Sequence, residues 1–533
     1  MKIGLAPGSR TQALLQVALL ATAFILLWKF TIATHFGVQA LSYPFSLDYG
    51  EGIVWQQMRD MVRGTAYRPL QVFPAIVYHY PPVYHLTTAG ITWITGLDPL
   101  KAGRLVELIC TAATGLLIAL LTIKGLDREG EKIERLICGT FAALVFLTSF
   151  IVSEWAPLMR VDMLSGALGL FGIILTLRAF DRPVWIHAAA LAFVLSIYTK
   201  QTSIAAPAAA FLVLLIARPR VAIAGITTST LLGIAALIWL SWATDGGFLR
   251  HIFSYNFNRI DTSRVFFLLM PSLFHIPLLI CAGFGTAFAW RKIQRSVKFN
   301  TTLKKALIHD RQTAVLLIML IFLALKLPML AMMLKVGSNS NYLIELLSAV
   351  VVFFGLSLEP IVATAIGTRP SALPLSRTLM VCFVIGTPMQ AGAMPSPEFH
   401  WRNQQARIAA METIVNRIRC SSKPVISDEM TLIIRAGRDV QWEPAIAAEL
   451  AHSNVYDEPG FVKMINEKKF GFFAIEWGPK YFLFRERYNP PVADAIAANY
   501  PIKQKIGDLT LFLPNEHDFD HPRPYSQLTQ SCR

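Results

Sequence analysis

The sequence predicts an α-helical polytopic membrane protein of about 11 transmembrane helices with outer surface helices, followed by a C-terminal soluble α/β domain. Three observations predict it. Hydrophobic residues make up 54% of the 533 and charged residues only 16%, and the mean hydropathy is +0.48, a balance that water alone does not solvate. Apolar runs near the roughly 20 residues that cross a roughly 30 Å hydrocarbon layer recur along most of the chain. From about residue 391 charges return and apolar runs stay short.

The net charge of +15, from 49 Lys and Arg against 34 Asp and Glu, does not gather into one basic domain. The basic residues interrupt the apolar runs, so the charge reads as membrane topology rather than nucleic-acid recognition. This excludes a soluble enzyme, a disordered hub and a disulfide-built secreted module. A channel, a transporter, a receptor and a membrane-embedded enzyme remain.

Full-length spans are expected at 13–33, 101–123, 135–152, 162–180, 184–198, 201–217, 221–243, 265–290, 313–334, 341–359 and 376–390. The first follows Lys2 and Arg10 without a small-residue cleavage site and reads as a retained helix. Segment 82–96 is decided by parity. Laid along the outer surface, it puts the loop 291–312, with seven Lys or Arg and one Asp, on the inner side together with the other basic loops. The N-terminus is then cytoplasmic. Residues 34–100, 153–161, 199–200, 244–264, 335–340 and everything after about 391 face outward.

The chain therefore divides into a membrane module, 1–390, and an extracytoplasmic α/β domain, 391–533. In the latter, 423–427, 470–475 and 509–513 read as strands, and 461–467 and 492–499 as helices. Cys110, Cys138, Cys281 and Cys382 fall in spans, whereas Cys420 and Cys532 fall outside, on the oxidising side, and are candidates for a bridge.

The unusual polar residues lie on the outer face. The first outer loop contains Tyr43-Pro-Phe-Ser-Leu-Asp48-Tyr-Gly-Glu51-Gly and then Tyr78-His79-Tyr80-Pro81-Pro82-Val-Tyr84-His85. Asp48 and Glu51 have the spacing of a capping box. At the mouth of a membrane cavity either carboxylate could also take a proton from a hydroxyl. Arg160-Val-Asp162 flanks the point where a span re-enters the lipid. There Arg160 either snorkels to headgroups or grips an anion through two hydrogen bonds. Lys200, and Lys335-Val-Gly-Ser-Asn-Ser-Asn341-Tyr342, each bring a further cation, and Lys326 within its span should face a cavity or a partner. The loop 244–264 adds a lid or a wet connection. No nucleotide-binding fingerprint is present.

These pieces, in this order, resemble the GT-C superfamily of membrane glycosyltransferases, particularly the bacterial branch related to protein mannosyltransferases, the lipid A aminoarabinose transferase and the galacturonosyl transferases of lipopolysaccharide core. The resemblance rests on Asp48-Tyr-Gly-Glu51 with Tyr80-Pro-Pro-Val-Tyr84, on Arg160-Val-Asp162 and on Lys335 to Tyr342, and covers about residues 1–360 in layout. It implies a sugar donor on polyprenyl phosphate arriving laterally from the bilayer, an extracytoplasmic active site in a bacterial inner membrane, and an essential acidic residue in the first outer loop. By position that residue is Asp48. Many relatives carry two adjacent acidic residues, whereas Tyr49 and Gly50 separate Asp48 from Glu51 here, so both remain catalytic candidates.

Arg160, Lys200 and Lys335 are the candidate donor-phosphate ligands. His79, Tyr80, Asp162, Asn341 and Tyr342 are candidates for the substrate pocket. The expected reaction is a single inverting displacement onto a hydroxyl of a glycan, lipid or protein acceptor, with no nucleic-acid partner. No cofactor is firmly expected. Asp48, Glu51 and His79 are the groups that could hold Mg²⁺, Mn²⁺ or Zn²⁺, although their separation fits no dedicated site pattern. A secondary transporter or lipid-linked sugar flippase, and a receptor acting through the outer tail, are the alternatives. The first usually shows internal repeats and charges near the midplane.

Overall fold

The structure, a computed structural model, describes residues 9–126, 131–256, 258–266, 273, 275–368, 376–393, 404–476, 478 and 480–515. Among these, seven helices are long and apolar enough to cross a membrane. Five belong to α1 (Ser9–Ser42), α4 (Pro99–Gly125), α7 (Asp162–Ala179), α10 (Pro219–Ala243) and α11 (Ile276–Asn300); the other two contain α12 (Arg311–Lys326) and α13 (Ile344–Ser357). Trp239 and Trp242 on α10, and Leu20 and Phe24 on α1, are exposed at membrane-spanning positions. Lipid is the solvent that matches such faces. The chain is a multi-pass membrane protein.

The remaining expected spans are helical but shorter or broken. The span 135–152 is α5 (Lys132–Thr148), which gives way at Ser149 to α6 (Phe150–Trp155). The next two are α8 (Trp185–Thr199) and α9 (Ala205–Ala217), joined by the polar turn at Lys200 to Ile204. The span expected at 265–290 starts later, with a helix from Ile276, and part of 265–275 lies outside the described residues. In the last one, π-helical Cys382–Gly386 interrupts the stretch from Arg377 to Ala393. Segment 82–96 is α3 (Val83–Thr95). At 1.5 Å per residue it reaches about 20 Å.

The bundle packs through close helix approaches. A Cβ on Gly285 of α11 would lie 1.8 Å from the Phe353 carbonyl oxygen of α13, so only glycine lets these backbones meet. The ends of α8 and α10 and the starts of α4 and α7 share a core with residues 43–91 and with residues after 404, and Gln201, before α9, donates to the His79 carbonyl; the basic loop between α11 and α12 instead leads to Arg311, which pairs with Asp181 just past the other end of α7.

The C-terminal part folds around β1 (Ile426–Ser427), β2 (Phe473–Ile475), β3 (Ile502–Ile506) and β4 (Leu509–Leu513), in the order β1-β2-β4-β3. β1 and β2 are parallel; β4 runs antiparallel to both β2 and β3. The hairpin strand β3 was missed because Ile-Lys-Gln-Lys-Ile lacks a buried face; it is a lysine-guarded edge. The C-terminal part does not stand apart from the loop between α1 and α4. Tyr43, Ile53 and Tyr84 share one core with Met411, Met430 and Leu511, and Ala75 bridges Trp442. Cys110, Cys138, Cys281 and Cys382 are free thiols, while Cys532, and so the candidate bridge to Cys420, lies outside the described residues.

Candidate active site

Helix α2 (Tyr49–Val62) builds one wall. Asp48 caps it from an extended backbone (φ −139°, ψ 144°), and its Oδ2 accepts the Gly50 N–H at 2.9 Å. Two residues into α2, Gly50 has no side chain, and that lets Arg160 in. A Cβ there would fall 1.5 Å from Arg160 Nη1. The guanidinium lies over the Trp155 ring, 5.3 Å from its centroid, with Nε 3.4 Å from Asp48 Oδ2. Both side chains keep some exposure, 24% for Asp48 and 17% for Arg160. Asp48 is therefore reachable, and its partner is held by a flat aromatic surface.

Glu51 faces elsewhere. It is wholly buried, and Arg104 of α4 grips it with Nε on Oε1 and Nη2 on Oε2, both at 2.8 Å. The Leu47 and Met159 N–H groups donate to the same carboxylate. The capping-box expectation is modified, since Glu51 reaches back to the Leu47 N–H and not to that of Asp48. With four donors on two oxygens, Glu51 has no free lone pair for a substrate. The two candidate carboxylates are thus separated, and Glu51 belongs to the scaffold. Arg104 also donates to the carbonyls of Ala40, Tyr43 and Phe45, which locks the first outer loop onto the bundle.

A second cluster forms where α7, α8 and α13 begin or end. Lys200 Nζ donates to Asp162 Oδ1 at 2.6 Å and Asn341 Nδ2 to the same oxygen at 3.0 Å. The Lys200 ammonium also sits over the Tyr342 ring, 4.6 Å from its centroid. Asp162 Oδ2 is buried and unbonded. Beside them Lys326 pairs with Glu345 at 2.5 Å, and Ser203 donates to the other Glu345 oxygen. The four charges line a cleft of about 10 Å³. The expectation that Lys326 has a partner is met by Glu345.

His79 and Lys335 are joined through Asn256. The His79 carbonyl accepts from Gln201 and Asn256, and the Asn256 carbonyl accepts from Lys335 Nζ at 2.9 Å. Burial, with Arg160, His251 and Lys335 nearby, pushes the His79 imidazole down to about 3, so the ring is neutral. Burial lowers the Lys335 ammonium from its ordinary value. Among the described residues no carboxylate pairs with Lys335. Burial raises the Tyr80 hydroxyl to about 12, against the lowering pull of Arg160.

Two acidic groups were not anticipated. Burial, then the nearby Asp48 charge, raises Glu154 to about 7. Burial raises Glu443 to about 8, with Arg160 opposing. Glu443 comes from the C-terminal part. It precedes a helix whose Ala445 N–H donates to the Tyr49 hydroxyl, next to Asp48, and its Oε2 is buried without a hydrogen bond. With both acids protonated, Asp48 pairs with Arg160 and Asp162 with Lys200, and among the described residues of the site Lys335 is the cation without a carboxylate partner.

A divalent ion does not fit the three groups suggested for it. Glu51 is committed to Arg104, and two cations flank His79. Among the described residues no three His, Cys, Asp or Glu side chains converge as metal ligands.

No family model matches the chain, and no curated protein sequence matches it significantly. Solved structures do. ArnT from Cupriavidus metallidurans bound to undecaprenyl phosphate is 14% identical, with 91% of this chain and 97% of that one covered and a TM-score of 0.51. Its apo state gives 14%, 92%, 98% and 0.52. The chain has the GT-C fold. The likeness runs over nearly the whole of both chains. Glu443 was illegible in the sequence because only packing brings it to Arg160.

Proposed function

We propose that this protein is a membrane glycosyltransferase that moves a sugar from a polyprenyl-phosphate donor to an acceptor hydroxyl by inverting displacement. Lys335 carries the reading. A partly buried ammonium with a carbonyl for a partner, whose charge acts on His79 as that of Arg160 does, suits a phosphate anion. The relative bound to undecaprenyl phosphate supports the same donor class. The acceptor oxygen attacks the anomeric carbon while the carbon–oxygen bond to phosphate breaks. Arg160 and Lys335 stabilise the leaving charge, and Asp48 takes the acceptor's proton. Lys200 is occupied by Asp162, so it shapes the phosphate wall unless that bond opens. Asp162, Asn341 and Tyr342 line the cleft beside Lys200, and His79 and Tyr80 are assigned to the sugar side of the site.

Undecaprenyl phosphate titrated into the purified protein tests this. Lys335→Gln should weaken binding by about tenfold, the worth of about 1.4 kcal/mol; unchanged affinity would remove Lys335 from the clamp. The same titration has a pH signature. As pH rises through about 7 and 8, Glu154 and then Glu443 ionise, adding negative charge near Arg160, so affinity should fall. Glu443→Gln should flatten the upper part of that fall, and identical profiles for both proteins would refute the electrostatic role of Glu443.

The site is extracytoplasmic in this reading and the membrane is the bacterial inner one. A thiol reagent that cannot cross membranes should label both Gln71→Cys and Lys463→Cys in intact spheroplasts. Labelling of neither, with labelling after lysis, would invert the topology.

A further inference from the structure

At the end of the bundle opposite the candidate site, the ends of α4, α5, α7 and α12 enclose a second cleft, of about 280 Å³. Lys124, Arg135, Arg178 and Arg311 line it, with Asp181 as the one carboxylate among the described lining residues. Asp181 is taken by Arg311, whose Nη2 donates to it at 2.7 Å. Arg178 lies against the Trp185 ring, 5.4 Å from its centroid. Lys124, Arg135 and Arg178 make no ion pair among the described residues. Arg135 Nε is shielded from solvent and bonded to nothing, which leaves a buried donor pointing at no acceptor. Ile174 and Leu177 provide an apolar wall beside these cations.

Three unmatched cations, one unsatisfied guanidinium donor and an apolar wall at helix ends match an amphiphile with an anionic head. Phosphodiester oxygens would accept from Arg135 and Arg178, and an acyl chain would follow the apolar side down the bundle. A purely solvated basic loop would need neither the cleft nor the shielded Nε.

We propose that this cleft binds the headgroup of an anionic glycerophospholipid from the leaflet it faces, independently of the chemistry at the other end. The probe is dioleoyl phosphatidylglycerol added to the full-length protein in mild detergent, read by native mass spectrometry and by thermal melting. Dioleoyl phosphatidylcholine, inorganic phosphate and undecaprenyl phosphate serve as comparison arms. Phosphatidylglycerol should form a discrete adduct and raise the melting temperature. Arg135→Gln with Arg178→Gln should lose that adduct by about tenfold or more. Should that variant fold poorly, exposed Lys124→Gln should still weaken the adduct severalfold. Equal adducts with phosphatidylcholine, or equal retention of phosphatidylglycerol by wild type and variants, would overturn the proposal. So would an effect reproduced by inorganic phosphate alone. If undecaprenyl phosphate, and not phosphatidylglycerol, occupies the cleft in an Arg135-dependent way, the glycerophospholipid assignment is wrong.

Discussion

Asp48→Asn should reduce sugar transfer by at least about 10²-fold, the lower range for losing a general base, while leaving the protein folded. Asn caps a helix as well as Asp does, and its side-chain oxygen still accepts from the Gly50 N–H. Arg160 also keeps its seat on Trp155. What disappears is the one acidic group of the first outer loop that is both accessible and beside the cationic clamp. The check is transfer rate alongside thermal melting and undecaprenyl phosphate affinity. Loss of rate with an unchanged melt and retained binding isolates the chemical step, whereas a wild-type rate would take Asp48 out of the mechanism.

The largest loss of stability should come from Arg104→Ala. It leaves Glu51 buried and charged and frees three carbonyls that close the first outer loop, so about 3–5 kcal/mol is expected, as for a broken buried ion pair. Glu51→Gln strands Arg104 in the same way, although it preserves a hydrogen-bonding side chain. On local spacing alone that change is mild; the Arg104 fork makes it severe. Replacing both partners together, Glu51→Leu with Arg104→Met, should cost less than either single change, because no charge is then left buried alone. Yield of monodisperse protein and melting temperature report this. A double variant worse than both singles would mean that the carbonyl bonds of Arg104, and not the charge pair, hold the loop.

Much of this was legible along the chain. Apolar runs located the long helices of the bundle, although the helix expected from 265 starts at Ile276 and the spans at 135–152 and 376–390 are broken. Asp48, and Arg160 with Asp162, stood out as charges at helix mouths. Other features depend on contacts between distant residues. Arg104 lies within an apolar run and declares its role only against Glu51. Glu443 sits in an ordinary helix-start pattern nearly 400 residues from Asp48, so its relation to Arg160 follows from packing. Lys200 and Lys335 look alike as interfacial cations, and only Asp162 beside the first separates them. β3 has no hydrophobic periodicity, because an edge strand needs only its partner's backbone.

Transfer of a sugar from lipid-linked phosphate by Asp48, Arg160 and Lys335 is tested most directly by incubating purified protein with radiolabelled polyprenyl-phosphate sugar and following label leaving the lipid phase. The wild type should release label, to water or to an added acceptor, and Asp48→Asn should stay near background. No release from a donor that demonstrably binds, or equal release by both proteins, would contradict it.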